Sequence, residues 1–246
     1  MSTVKRMIDE PPLIDHIDNP FENNERLPHR IFLPMLARTF RNDDLVARIA
    51  LEVESKIRPD ILMVYFPGID RTSHIFWSGY EQVDAYPVGM RLAPDQRAAA
   101  AAAIKDYYRF IDALIGKLVA RFNSDDLVVV LSDHGFEAEH NKGRALTGGH
   151  NSDGASHGVM FIRGKGIPAR GNTVGINVND ITPTILAYLG KAVAADMDGA
   201  PASLLNVMPP TVIASYDTSP IVRVGVSSET TEDAIIEDLR ALGYVE

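Results

Sequence analysis

The stretch LVVVLSDHGFE, residues 127–137, puts five apolar side chains in a row and then stops on Ser132, Asp133, His134 and Gly135. An apolar run without alternation fits a strand covered on both faces, as in parallel sheets flanked by helices. Open parallel sheets bind ligands beyond the carboxyl ends of their strands. An acid and an imidazole at that end are therefore candidate site residues. The plainer reading is a turn, with Asp133 hydrogen-bonded to its own backbone.

Two further runs extend the pattern. PDILMVYFPG (59–68) is apolar, bounded by proline on both sides, and reads as a second doubly buried strand. GVMFIRG (158–164) reads as a third. Between the first two lies the clearest helix, from Pro94 to about Phe122, with proline in its first turn, six consecutive alanines and apolar Ile104, Tyr107, Ile111, Leu114 and Leu118 at helical spacing. Upstream, IFLPMLARTF and DDLVARIALEVESKI are helical in period, the second with Asn42-Asp43 as an expected cap. TPTILAYLG is expected as a short helix capped by Thr182 and stopped at Gly190, and TEDAIIEDLRALGY as a closing amphipathic helix. Strands alternating with helices predict an α/β/α sandwich with a mostly parallel sheet. Residues 1–29 are expected to form an irregular arm, and 30–246 the domain. The segment 75–93 has no clear period, and its aromatics Phe76, Trp77, Tyr80 and Tyr86 read as core, with stacking on a base or lipid headgroup as the alternative.

The composition narrows the chemistry. The 246 residues contain no cysteine, which excludes disulfides, thiolate metal sites and a cysteine nucleophile. A net charge of −9 argues against a broad nucleic-acid surface. No apolar run approaches the ~20 residues of a membrane-spanning helix. The polar N-terminus lacks a signal-peptide core, so the chain is expected to be soluble and, by default, cytoplasmic, with export as the alternative should a longer N-terminus exist. Oligomeric state is not legible.

Four of the seven histidines fall in three loops at expected strand ends. The first strand leads into Asp70 and His74, the second into Asp133 and His134, and the loop before the third carries His150 and His157. Carboxylate oxygen and imidazole nitrogen form a zinc-type donor set, with manganese or iron also compatible. Gly135 is expected to permit the sharp turn that lets an adjacent Asp-His pair face one ion. Two such pairs suggest two ions, a known solution for phosphoryl chemistry. His16, His29 and His140 read as surface residues.

In that order, PDILMVYFPGIDRTSHIFW, DDLVVVLSDHGFE, SHGVMFIRGKGI, NVNDITPTILAYLG and LRALGY resemble the type I phosphodiesterase/nucleotide pyrophosphatase family of the alkaline phosphatase superfamily, over roughly residues 55–246. The resemblance implies an alkaline phosphatase-like sandwich, two zinc ions, and hydrolysis of phosphodiester or pyrophosphate bonds in a small-molecule substrate. It implies Asp70, His74 and His150 (with His157 as the alternative) around one ion, and Asp133 and His134 at the other. The family also carries, further upstream, an additional Asp ligand and a Thr or Ser nucleophile on a turn at a helix start. No segment before Asp70 matches these, so the expectation is a partial phosphodiesterase domain lacking the N-terminal βα units. The alternatives are an inactive metal-binding fragment or pseudoenzyme serving as a binding module, or another superfamily hydrolase such as a sulfatase.

Overall fold

The computed structural model describes residues 6–8, 10–139, 146–167, 175–202 and 210–217. The chain divides into two compact units, 1–169 and 170–246.

The first unit is built on three helices. α1 (Leu33–Ile57) has proline in its first turn and ends on Arg58 in the left-handed region. It runs straight through Asn42-Asp43, so these residues do not start a helix as expected; Asp43 is instead fully buried. α2 (Gly68–Phe76) is short and carries Asp70 in its first turn and His74 in its last. α3 (Pro94–Val119) matches the expected helix, and Gln96 accepts a hydrogen bond from the Ala93 amide at its start (3.3 Å). Leu36, Ala37 and Phe40 of α1 pack with Ile75 and Phe76 of α2 and with Ile104, Tyr107, Phe110, Ile111 and Leu114 of α3. The irregular arm joins this core through Ile14, Phe21 and Leu27. It is strapped to α1 by Arg48, whose guanidinium donates to Asp44 (2.6 Å) and to the Pro11 carbonyl, while Asp44 accepts from the Leu13 amide (2.7 Å).

The strands depart from expectation. Residues 61–66 form no regular element and enter no ladder among the described residues, and Ile61, Met63 and Tyr65 are exposed while Leu62, Val64 and Phe66 are half-buried. One face of this run is covered, not two. β1 (Val128–Ser132) and β4 (Val159–Arg163) form where expected, yet they pair antiparallel, with Val130 opposite Phe161. β2 (Glu137–Ala138) and β3 (Gly148–Gly149) form a second, two-residue antiparallel ladder. Among the described residues the fold is mixed α/β with three two-stranded sheets, and a mostly parallel sandwich is not assembled. A continuous apolar run cannot report whether one face or two will be covered, because burial depends on partners far away in sequence.

Of the aromatics in 75–93, Phe76 and Tyr86 are core, Trp77 is half-buried, and Tyr80 is exposed.

In the second unit, Asn177 and Asp180 cap each other's backbone at a 3-10 turn, with Asn179 N–H donating to Asn177 (3.0 Å) and Asn177 N–H to Asp180 (2.8 Å). α4 (Ile181–Tyr188) follows directly, so Thr182 lies inside the helix and is not its cap. The stop is as expected: Gly190 has φ 65°, a conformation glycine adopts without penalty. β5 (Val193–Ala194) and β6 (Val212–Ile213) pair in parallel. The expected closing helix lies outside the described residues.

Candidate metal centre

The site begins with how α2 is seated. Asp43 is buried beneath its N-terminus, accepting a hydrogen bond from Tyr107 Oη at 2.9 Å, and the Gly68 amide faces the same carboxylate. Burial pushes Asp43 up to about 6, against the opposing pull of the Tyr107 hydroxyl, the Gly68 amide and Arg71. A Cβ at residue 68 would run into the Tyr107 hydroxyl and Asp43 Oδ2, so only glycine allows this approach. A carboxylate at a helix N-terminus also complements the helix dipole.

With α2 fixed, Asp70 and His74 share one face because they are four residues apart. His74 Nε2 lies 3.5 Å from Asp70 Oδ1. Two other imidazoles reach the same oxygen: His134 Nε2 at 3.8 Å and His150 Nε2 at 4.0 Å. Donor atoms of Asp70, His134 and His150 all lie within 4.8 Å of one another. The β2–β3 ladder explains how His150 gets there. Glu137 pairs with Gly149, so the next positions outward are Phe136 and His150. Phe136 stands edge-on to His74 (5.1 Å) and His150 (5.7 Å), and His134 stacks on His150 at 3.9 Å.

Asp133 is different. Its side chain is 73% exposed, with Oδ1 3.7 Å from His134 Nε2. His157 is exposed and stands outside the Asp70 trio; its carbonyl instead faces the backbone of Gly135. Gly135 is not at positive φ, so the turn does not use the left-handed freedom expected of it. Its lack of a side chain matters because a Cβ would sit 3.2 Å from the His157 carbonyl. His29, read as a surface residue, is half-buried, and burial lowers its pKa. His16 is exposed as expected, and His140 lies outside the described residues.

The ring tautomers test whether these residues fit a cation. His74 Nδ1 lies 2.8 Å from the Gly148 carbonyl, and His134 Nδ1 lies 3.0 Å from the Gly135 carbonyl. A carbonyl can only accept, so each Nδ1 carries a proton, which leaves Nε2 as the ring atom able to offer a lone pair to an ion. Both Nε2 atoms face the same carboxylate oxygen, Asp70 Oδ1. Asp70 Oδ1 and His74 Nε2 are buried with no hydrogen-bond partner. Burial, then the neighbouring His134 and His74, lowers the pKa of His150, which favours its neutral, ligating form. A carboxylate oxygen and three imidazoles converging on one point fit a divalent cation, and carbonyls that accept from the far ring nitrogen are a usual outer shell of such a centre.

The family model for type I phosphodiesterase / nucleotide pyrophosphatase matches residues 8–180. The match starts inside the arm, well before the region where the sequence motifs begin, in keeping with the arm's packing into the core. No curated protein and no solved structure matches the chain.

Proposed function

Since the chain belongs to the type I phosphodiesterase/nucleotide pyrophosphatase family, we propose that it is a metal-dependent hydrolase of phosphodiester or pyrophosphate bonds in small-molecule substrates. The observation that carries this reading is Asp70 Oδ1, buried, without a hydrogen-bond partner and approached by three imidazoles. We assign Asp70, His74 and His150 to one divalent cation and Asp133 with His134 to a second, zinc being the ion the donor set suits best. His134 Nε2 is about equally far from Asp70 (3.8 Å) and Asp133 (3.7 Å), as suits a residue between two neighbouring ions. Such ions supply Lewis acidity that neutralises charge on phosphoryl oxygens.

The protein's own contribution is to hold the imidazoles aimed. The Gly148 and Gly135 carbonyls fix two of the tautomers, and Phe136 excludes water from one side of the cluster. The sandwich expected for the family would place this cluster at strand ends, and we read residues 30–246 as part of that domain. Ser132, the hydroxyl adjacent in sequence to the ligands, donates to the His134 carbonyl at 2.7 Å and serves as a buttress. The attacking hydroxyl of the family's covalent step is therefore assigned to no residue here. That observation favours one second reading, a metal-binding module without turnover on the same cluster.

The test is to load the protein with zinc, remove the excess and count bound metal by elemental analysis, then assay hydrolysis of bis(p-nitrophenyl) phosphate. One or two ions per chain, lost in Asp70→Ala, support the centre, and hydrolysis distinguishes the enzyme from the binding module. A folded protein that retains no metal overturns both readings.

A further inference from the structure

We propose that Thr147 is a positioning residue, fixing the spacing of His74 and His150 and thereby the affinity of the metal centre; the inference rests on the metal reading above. Thr147 immediately precedes β3 and is 1% exposed, so each of its polar atoms needs a partner inside the protein. Each has one. Its amide donates to the His74 carbonyl (2.8 Å), and its hydroxyl donates to the Ile75 carbonyl (2.9 Å) while accepting from the Ser78 amide (3.1 Å). Its carbonyl accepts from Tyr86 Oη (2.6 Å) and from the Glu139 amide (3.1 Å).

The chemistry behind this arrangement is the end of α2. A continuing helix would donate the Ser78 amide to the His74 carbonyl four residues back. The helix stops at Phe76, and the Ser78 amide turns to Thr147 Oγ1 instead. The Thr147 amide takes its place on His74, and the Thr147 proton satisfies Ile75, so two carbonyls orphaned by the helix end are both paired. Thr147 therefore caps α2 from a distant part of the chain.

The next residue completes the link. The Gly148 carbonyl accepts from His74 Nδ1, across 74 positions of sequence. A Cβ on Gly148 would lie 2.6 Å from Trp77 Cβ and 2.7 Å from the Ser73 carbonyl, so β3 sits closer to the helix than any side chain permits. His74 is thus held by its main chain through Thr147 and by its ring through Gly148. His150 follows directly after this strand, which pairs with β2, next to the turn bearing His134. Removing the Thr147 hydroxyl leaves the Ser78 amide and the Ile75 carbonyl buried and unpaired, and loosens a junction between the ligand helix and β3. Tyr86, 2% exposed, supports the junction from the other side, and burial raises its pKa so that it remains a donor.

The experiment uses the full chain and cobalt(II), whose ligand-field bands report ligand geometry as well as affinity. Thr147→Val should weaken cobalt binding by about 10-fold or more and alter the band shape. Its far-UV circular dichroism should match wild type. Thr147→Ser keeps the hydroxyl and should restore both affinity and spectrum. Tyr86→Phe should weaken binding by about fivefold, the worth of one hydrogen bond. Nitrogen-15 spectra of the metal-free protein give a second readout, in which His74 should lose its single Nδ1–H tautomer in Thr147→Val alone. Wild-type affinity and bands in the valine variant, or a serine variant as impaired as valine, overturn the proposal while leaving the metal centre standing. If the valine variant does not fold, unchanged binding by Tyr86→Phe overturns it. A wild-type chain that binds no cobalt overturns the metal reading, and this inference with it.

Discussion

Phe110 on α3 and Phe161 on β4 are the same side chain in opposite circumstances. Phe110 is fully buried, stacked on Phe40 at 3.7 Å and edge-on to Tyr107 at 5.9 Å, whereas Phe161 is 69% exposed. The contrast extends to their surroundings. The helices of the first unit, together with the arm, enclose one contiguous apolar core. Strand β4 leaves Val159 and Phe161 open, and the irregular run 61–66 leaves Ile61, Met63 and Tyr65 open. A helix shows one stripe and needs one set of neighbours. A strand shows two faces, and an apolar run makes both demand cover.

Four substitutions measure this contrast by equilibrium urea unfolding. Phe110→Ala should cost about 3–5 kcal/mol, the penalty for emptying a fully enclosed aromatic site. A loss under 1 kcal/mol would mean that the helical core is less closely packed than its geometry indicates. Asp43→Asn should change the pH dependence. The native state keeps a proton on Asp43 up to about 6, while the unfolded chain releases it near 3.8. The contribution of Asp43 is therefore greatest below 3.8 and falls as pH rises across that window. Relative to wild type, the asparagine variant should gain up to about 3 kcal/mol between pH 4 and 7. A constant difference over that range would refute the assigned shift. Gly68→Ala should cost about 1–3 kcal/mol by overpacking against Tyr107, and it should weaken metal binding as well, because the displaced helix carries Asp70 and His74. Phe161→Ser should lie within about 0.5 kcal/mol of wild type; a larger loss would show that the open face of β4 is covered in solution.

The parts of the molecule legible in its sequence are those that depend on local spacing. Pro94 and the apolar series from Ile104 to Leu118 specify α3, because a 3.6-residue period and a first-turn proline are properties of one segment. Asp70 and His74 could be placed on one face by the same arithmetic, and His134 lay just past a strand that an apolar run marked. What stayed hidden depends on distant partners. Asn42-Asp43 looks like a cap from its neighbours alone, and only the Tyr107 hydroxyl and Gly68 reveal Asp43 as the seat of α2. Thr147 carried no signal, since its partners Ile75, Ser78 and Tyr86 lie far upstream. The antiparallel pairing of β1 with β4 was equally hidden, because an apolar run does not encode the direction of its neighbour.

The ring of Phe21 lies against Phe76 at 6.1 Å and Tyr107 at 5.8 Å. During synthesis Phe21 leaves the ribosome well before Tyr107 exists, so the arm spends that interval with its apolar side chains unsheltered. Closure of so long a loop also sets the tempo, since contacts distant in sequence form slowly. The helical core, and with it the seat for Asp70 and His74, can therefore take shape only once α3 has been made.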